Sequence, residues 1–309
     1  MNAKKWLKSF IFFILGIVIL FELKYQVAPV NRHEVDYLVK EMLPSLKNEK
    51  YETVILGDSL AHNVFSKLEL KKNILDLTSN KAVALAGSYY ILKRYLKNND
   101  APKEIYFFAI PAFLHYDLNE NLTYSYFETV FTHSSEIKEI QTFKPELYSD
   151  AFNLDKYFES RKNALKIEGY RPEKRQKYID VDEKELIKVP NFINEKIESN
   201  IAEAKAFRDK IEPLPKFYFE QLVALCKKEN IQLTVVIEPI FKAYIPLFKG
   251  SKWDNYLKSK VSKGEIVYKN INDYYAFNSY FFKRDGRHIT GKVNQYYQNL
   301  IDKYILKLH

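Results

Sequence analysis

Short apolar runs alternate with amphipathic segments from Tyr51 onward, and this alternation constrains the fold more than any other feature of the chain. The runs have the length of buried strands, and the segments between them place apolar residues at helical spacing. Strands that alternate with helices form βαβ units around a parallel sheet. We therefore predict an α/β domain with strands over residues 53–56, 74–77, 105–110, 231–237 and, at an edge, 265–268.

The alternation stops between about residues 115 and 213, where the chain is polar and rich in tyrosine. No strand pattern is clear there, and a stretch of this length is too long for a structureless loop. We predict a largely helical insertion, with one helix over residues 194–211. Such a segment is a common place for a lid that selects the substrate. The α/β domain then spans residues 51–309, enough chain for a sizeable core.

The N-terminal segment contains an apolar run over residues 10–21 that follows three lysines. Its length fits the apolar part of a secretory signal peptide, and flanking apolar residues extend it toward the length of a spanning helix. The best downstream cleavage site, at Ala28, precedes a proline and is poor. We expect residues 1–24 to be an uncleaved single-pass anchor. A cleaved signal peptide and a buried core helix are the alternatives.

The charges around this run predict its orientation. Lysines precede it and few follow it, which indicates a cytoplasmic N-terminus and a periplasmic or extracellular α/β domain. Residues 25–50 then form a juxtamembrane linker, with a helix over residues 33–43 that Pro44 stops.

The composition gives no support to several classes of function. Cys226 is the only cysteine, so no intrachain disulfide can form, and we expect it to be a small core residue. The net charge of +9 comes from Lys and Arg spread along the chain without a basic run, so we predict no nucleic-acid partner. Metal-ligand spacing and a glycine-rich phosphate loop are both missing from the sequence, and we predict no metal and no cofactor.

A serine follows the first predicted strand, in the sequence Gly57-Asp58-Ser59-Leu60. Ligand sites of open α/β sheets lie at the carboxyl ends of strands, and the start of the following helix favours a developing negative charge. Gly57 permits a tight turn. Ser59 is therefore a candidate nucleophile, or it is simply the N-cap of the helix that begins at Leu60.

A second motif, Asp285-Gly286-Arg287-His288, precedes the last predicted helix, over residues 291–306. A serine becomes a nucleophile only when a base lies within hydrogen-bond reach and a third group orients that base. His288 can act as the base and Asp285 as the orienting group, although the motif also fits a surface turn beside an incidental histidine. Together the two motifs predict a Ser-His-Asp triad, with Ser59 attacking an acyl carbonyl.

These two motifs resemble those of the SGNH/GDSL superfamily, and the resemblance extends from Tyr51 to the C-terminus. It implies a three-layer α/β/α, flavodoxin-like domain in which Ser59 is the nucleophile and Asp285 and His288 complete the triad. The family's second motif implies that the N–H of Gly87, in the sequence Leu85-Ala86-Gly87-Ser88, joins that of Ser59 in the oxyanion hole.

The chain departs from the family at its third motif, where residues 109–112 contain no asparagine. With this departure, the chain resembles a divergent membrane-anchored branch of the superfamily. This branch is similar to the alginate O-acetyltransferase-like proteins and the D-alanyl transfer protein of teichoic acid synthesis. The branch implies serine-dependent O-acyl transfer, with acetyl as the expected group, from an acyl donor to a cell-surface polysaccharide or glycan. It also implies a membrane-bound O-acyltransferase partner. An esterase or deacetylase of acylated carbohydrate and a non-catalytic glycan-binding protein are the alternatives.

Three further residues are weaker candidates for binding the substrate. Asp58 adjoins the serine, His115 follows the third predicted strand, and Glu238 follows the fourth. We expect Glu238 at the carboxyl edge of the sheet, either on the rim of the pocket or as a plain strand end.

Overall fold

The structure is a computed structural model, and it describes residues 3–27, 34–66, 68, 70–79, 84–111, 113–115, 118, 130–131, 133–145, 197–282, 287–290 and 293–306. Its helices are α1 (Ala3–Val27), α2 (Glu34–Tyr37), α3 (Leu43–Ser45), α4 (Ser59–Phe65), α5 (Ala84–Asn98), α6 (Ser134–Phe143), α7 (Ile197–Phe207), α8 (Pro213–Lys228), α9 (Ile245–Phe248), α10 (Lys252–Ser262) and α11 (Asn294–Ile301). Single π-helical turns over Leu38–Met42 and Asp302–Leu306 join α2 to α3 and extend α11. Short 3₁₀ turns lie at Lys242–Tyr244, Ile271–Asp273 and Ser279–Phe281.

Five parallel strands form one sheet, and this confirms the predicted α/β class. The strands are β1 (Thr53–Gly57), β2 (Ile74–Asp76), β3 (Glu104–Ala109), β4 (Gln232–Ile237) and β5 (Val267–Asn270). Their order in the sheet is β2-β1-β3-β4-β5, the order of flavodoxin-like sheets. The chain leaves β1 toward one edge and then returns to β3 on the other side. The carboxyl ends of β1 and β3 therefore flank the crevice in which such sheets bind ligands.

The sheet separates two apolar cores because neighbouring residues of a strand point to opposite faces. Leu56 on β1 and Phe107 on β3 belong to the core that α5 and α8 cover. Ile55 and Phe108 belong to the other core, which α4 and α11 cover. The two predicted motifs flank this second layer, since Ser59 begins α4 and His288 precedes α11.

The N-terminal helix α1 exposes many of its large apolar side chains, with Phe12 at 72% exposure. Among the helices that the structure describes, none is long and apolar enough to cross a membrane, so the predicted spanning anchor is not supported. The uncharged stretch between Lys8 and Glu22 is shorter than the roughly 20 residues that a span needs.

Part of the segment predicted as a linker packs on the α/β domain. Val35, Leu38 and Leu43 are buried in the α5–α8 core. The helical stretch ends at Ser45, one residue after Pro44 and within two residues of the predicted end. Proline lacks the N–H that would bond to the preceding turn, so the helical stretch ends soon after it.

The predicted insertion is described only in part, because residues 146–196 lie outside the described chain. Its α7 falls within the helix predicted over residues 194–211. Helix α6 is docked on the domain by Glu139, whose Oε2 accepts hydrogen bonds from Tyr90 Oη at 2.6 Å and Tyr218 Oη at 3.0 Å. Because Tyr90 and Tyr218 lie on α5 and α8, one carboxylate joins three helices.

Candidate active site

The turn between β1 and α4 leaves the serine hydroxyl available. Asp58, in extended conformation, is the N-cap of α4, and its Oδ1 accepts a hydrogen bond from the Leu60 N–H at 2.8 Å. The alternative that Ser59 caps this helix is therefore wrong. Ser59 is the first residue of α4, and the N–H groups of the first turn have no intrahelical acceptor.

Gly57 is required at the end of β1 by space rather than by a left-handed turn. A Cβ at this position would lie 2.6 Å from Ala61 Cβ and 2.9 Å from the Phe108 carbonyl oxygen. Gly57 pairs with Phe108 in regular parallel register, so Gly57 belongs to the strand. The glycine lets α4 approach the sheet closely and thereby brings Ser59 to the carboxyl ends of β1 and β3.

Ser59 and His288 are far apart in the sequence but lie next to each other in the fold. Ser59 Oγ lies 3.2 Å from His288 Nε2, although the two residues are 229 positions apart, and both side chains are half-buried. A histidine nitrogen at this distance can accept the hydroxyl proton as a general base when it is unprotonated. The two motifs thus contribute to one site.

The loop that contains His288 is fixed at its base. Phe282 and Ile289 form an antiparallel β-bridge, and the Thr290 N–H donates to the Phe281 carbonyl at 2.8 Å. The Asn63 side chain on α4 donates to the Ile289 carbonyl at 3.2 Å. This last contact joins the helix of the serine to the strand-like residue next to the histidine.

Buried aromatic side chains support the same loop from below. Phe277 packs edge-on against Phe281, with ring centroids 5.2 Å apart, and against Tyr297 of α11 at 6.1 Å. Phe281 and Phe282 are both buried in the α4–α11 core. This aromatic core therefore lies next to the bridge between Phe282 and Ile289, the residue that follows His288.

The roles of Asp285 and Gly87 in the site stay predictions. Asp285 lies outside the described residues. Gly87 is buried and is the fourth residue of α5, the helix that follows β2. Ala84, the first residue of this helix, has a left-handed φ of 47°, a conformation that is uncommon for a residue with a side chain.

The three weaker candidates lie in different environments. Asp58 is half-buried and caps α4, as described above. His115 stacks on Phe207 of α7 with ring centroids 3.7 Å apart, and its Nδ1 lies 3.7 Å from Glu212 Oε1. Glu238 is 1% exposed, so its side chain lies beneath the surface rather than on an open rim.

Glu238 belongs to a small group of interacting polar residues that sequence reasoning found only in part. Burial, and next the charge of Asp58, raise the pKa of the Glu238 carboxyl well above its ordinary value. Burial, Glu238 and Asp58 raise the pKa of the Tyr297 hydroxyl in the same way. Tyr297 was missed, although its spacing with Ile301 and Ile305 marks the buried face of α11 and its π-helical extension.

A cysteine nucleophile and a metal site have less support from the geometry. Burial raises the pKa of the Cys226 thiol to about 12, which agrees with a core residue rather than a nucleophile. Within the described ranges, no group of three or more His, Cys, Asp or Glu side chains is placed to hold a metal ion.

Comparisons with known proteins add little to this picture. No family model matches the chain, and no curated protein matches it. Among solved structures, the chain is similar to a crystal structure from Bacteroides fragilis NCTC 9343, of a protein named "putative acylhydrolase". The two share 12% identity with a TM-score of 0.37, over 88% of this chain and 94% of the other. A similarity this low supports no statement about activity, so the function has to be inferred from the site.

Proposed function

We propose that the chain is a serine-dependent acyl-transfer enzyme that forms an acyl-serine at Ser59. The observation that supports this most directly is the 3.2 Å distance between Ser59 Oγ and His288 Nε2 at the carboxyl ends of the central strands. A structural serine at a helix start would be expected to bond to the helix backbone. Here Asp58 makes the cap, and the hydroxyl lies against a base instead.

The residues perform two half-reactions in this proposal. Ser59 Oγ attacks the acyl carbonyl while His288 Nε2 takes the hydroxyl proton, and the same imidazole then gives that proton to the leaving group. In the second half-reaction, His288 deprotonates the acceptor hydroxyl, which attacks the acyl-serine and releases Ser59. Asp285 is assigned the orientation of the imidazole.

The negative charge that develops on the carbonyl oxygen needs preorganised donors. The Ser59 N–H is in the first turn of α4 and has no intrahelical acceptor. We assign this N–H, with that of Gly87, to the oxyanion hole. Loss of one such donor typically lowers the rate by about 10²–10³.

We further propose that the acceptor is a hydroxyl of a cell-surface glycan and that the acyl group is acetyl. The support for this finer statement is the resemblance of the serine and histidine motifs to the branch of O-acyltransferases named above. Such an acceptor requires the α/β domain to lie on the outer side of the cytoplasmic membrane. Protease accessibility of the domain in intact spheroplasts tests that location.

Labelling with a fluorophosphonate probe tests the chemistry without a known substrate. We expect intact-mass analysis to show one adduct on the wild-type chain and none on Ser59→Ala or His288→Ala. Ser66→Ala is a matched control, since Ser66 follows the same helix and its Oγ donates to the His62 carbonyl. An adduct that persists in Ser59→Ala would contradict the proposal.

Mass spectrometry of surface glycan from wild-type and Ser59→Ala cells tests the finer statement. Loss of O-acetyl in the variant supports transfer to the glycan. A gain of O-acetyl identifies a deacetylase instead, and an unchanged glycan together with an unchanged cellular phenotype indicates a binding protein.

A further inference from the structure

His62 lies one helical turn after Ser59 and has no role in the reaction proposed above. Its Nδ1 lies 3.3 Å from the Thr78 carbonyl oxygen and 3.3 Å from Thr78 Oγ1. The Thr78 hydroxyl donates to Asp76 Oδ1 at 2.6 Å, and the Thr78 N–H donates to the same oxygen at 2.9 Å. A chain of hydrogen bonds therefore leads from a carboxylate at the end of β2 to the helix that begins at Ser59.

The two polar residues of this chain belong to a regular extension of β2. Asp76 ends the strand, and beyond it the Leu77 and Ser79 N–H groups still donate to carbonyls of β1, at 2.8 and 3.0 Å. Alternate residues share a face, so Asp76 and Thr78 point toward α4, whereas Leu77 belongs to the α5–α8 core. Asp76 and Thr78 are 7% and 4% exposed. Buried polar groups are costly unless they are paired, and here each is paired.

The partners of His62 Nδ1 decide which ring nitrogen carries the proton. A carbonyl oxygen can only accept, and the Thr78 hydroxyl gives its own proton to Asp76. Nδ1 therefore carries the N–H and donates it to the two Thr78 oxygens. Because Nδ1–H is present in both the neutral imidazole of this tautomer and the imidazolium, the bond does not depend on the state of Nε2.

Two side-chain bonds tie α4 to the fold on opposite sides. His62 bonds to Thr78 on the side of β2, which is one edge of the sheet. Its neighbour Asn63 donates to the Ile289 carbonyl on the side of α11. The π-helical extension of α11 reaches the other edge, where Lys269 Nζ on β5 donates to the Ile305 carbonyl at 2.7 Å.

These two ties limit the rotation of α4 about its axis. Ser59 shares a face with both of them, since residues three and four apart on a helix are neighbours. Cα atoms lie about 2.3 Å from the axis, so a rotation of about 15° moves the Ser59 Cα by about 0.6 Å and its hydroxyl by more. Ser59 Oγ lies 3.2 Å from His288 Nε2, and a misplacement of about 1 Å can cost about 10²-fold in rate.

We propose that His62 is a positioning residue of the Ser59 site. Its Nδ1–H bond to Thr78 keeps α4 in the rotation that directs the Ser59 hydroxyl at His288. In this role the imidazole of His62 takes no proton from the nucleophile or the acceptor. The proposal rests on the proposed function of Ser59 for its kinetic test.

The rate of Ser59 labelling by a fluorophosphonate probe tests the proposal on the full-length chain. In this reaction the Ser59 Oγ–P bond forms, the P–F bond breaks, fluoride leaves, and the hydroxyl proton passes to His288. We expect His62→Ala, which removes the bond to Thr78, to be about tenfold slower per folded molecule at pH 7. We expect His62→Asn to stay within about threefold of wild type, because its amide nitrogen is two bonds from Cβ, as Nδ1 is, and keeps the donor.

His133→Ala is the matched control, because it removes an exposed histidine that precedes α6. Helix α6 is docked on α5 and α8, which cover the face of the sheet opposite to α4. The rate of this variant should equal that of wild type. If His62→Asn is as slow as His62→Ala, the imidazole acts through Nε2 and the proposal is wrong. If His62→Ala labels like wild type, the rotation of α4 does not depend on His62 and the proposal is equally wrong.

Nitrogen-15 magnetic resonance tests the bond independently of any activity. Above the titration of its imidazole, His62 should carry its proton on Nδ1 and none on Nε2, and Thr78→Val should shift the Nδ1 signal. The opposite tautomer would overturn the proposal. This measurement decides the question if His62→Ala does not fold. It also separates the two proposals, because a wild-type chain that takes no label at Ser59 contradicts the proposed function while its tautomer still reports the bond to Thr78.

Discussion

Asn63 donates a side-chain hydrogen bond to the Ile289 carbonyl at 3.2 Å, and this bond ties the helix that begins at Ser59 to the residue that follows His288. The contact joins two parts of the chain that approach each other only in the folded sheet. We expect the distance between Ser59 and His288 to depend on it.

Replacement of Asn63 by Ala should slow fluorophosphonate labelling by about tenfold, because a net hydrogen bond is worth about 0.5–1.5 kcal/mol and the register of the His288 loop depends on this one. The measurement is the second-order labelling rate at pH 7. Asn255→Ala is the control, since the side chain of Asn255, on α10, donates to the carbonyl of Gly250, which precedes that helix. Equal rates for the two variants would show that the loop is held by other contacts.

Replacement of Gly57 by Ala should destabilise the domain and abolish labelling. The new methyl group would lie 2.6 Å from Ala61 Cβ and 2.9 Å from a backbone oxygen, so α4 has to move away from the sheet. Overpacking of this kind costs about 1–3 kcal/mol. Urea denaturation measures the loss, and Gly16→Ala is the control, because a Cβ at Gly16 meets no atom within 4 Å. A Gly57→Ala chain with wild-type stability would contradict the close approach of α4.

The stability of the wild type relative to Glu238→Gln should fall as the pH rises. The ordinary pKa of a Glu side chain, 4.5, applies to the unfolded chain, whereas burial and Asp58 raise the pKa of Glu238 in the folded chain. Below pH 4.5 both states hold the proton and the acid causes no penalty. Above it, the unfolded state releases the proton while the folded state keeps it, so unfolding becomes easier by about 1.4 kcal/mol per pH unit until the folded pKa is reached.

Chemical denaturation of both chains between pH 4 and pH 8 measures this difference. Glu238→Gln should gain stability relative to wild type steadily across the range. A constant difference would mean that Glu238 ionises in the folded protein at its ordinary pKa.

Asp58→Ala should lower the free energy of unfolding by about 0.5–2 kcal/mol, as loss of an N-cap usually does. Asp58→Asn should keep the cap, because an Asn side-chain oxygen can accept the Leu60 N–H equally well. Thermal unfolding of the two variants gives the comparison. If both lose the same stability, the charge of Asp58 and not its hydrogen bond holds α4.

The sheet was predictable because its central strands are apolar on both faces, which only a parallel sheet between helix layers explains. The predicted bounds of β1 and β3 agree with the structure within one residue. The edge strand β5 starts two residues later than predicted, since its residues are all half-buried and its register is set by pairing with β4. Local pattern gives little information at such an edge.

The contact between Ser59 and His288 was predicted from residue types alone, whereas the packing of the residues around it was not. The burial of Glu238 and Tyr297 depends on how α11 packs over β4, which a single sequence does not reveal. The role of Asp58 as the cap was likewise ambiguous, because Asp58 and Ser59 are both good N-cap residues. The predicted membrane anchor followed from the apolar content of residues 10–21, but none of the described helices is long and apolar enough to cross a membrane.

The separation of 229 positions between Ser59 and His288 has a consequence during synthesis. In the proposed reaction, synthesis of the nucleophile therefore precedes synthesis of its base by this number of residues. A growing polypeptide that does not yet contain residue 288 lacks the proposed base, so we expect its Ser59 to take no label.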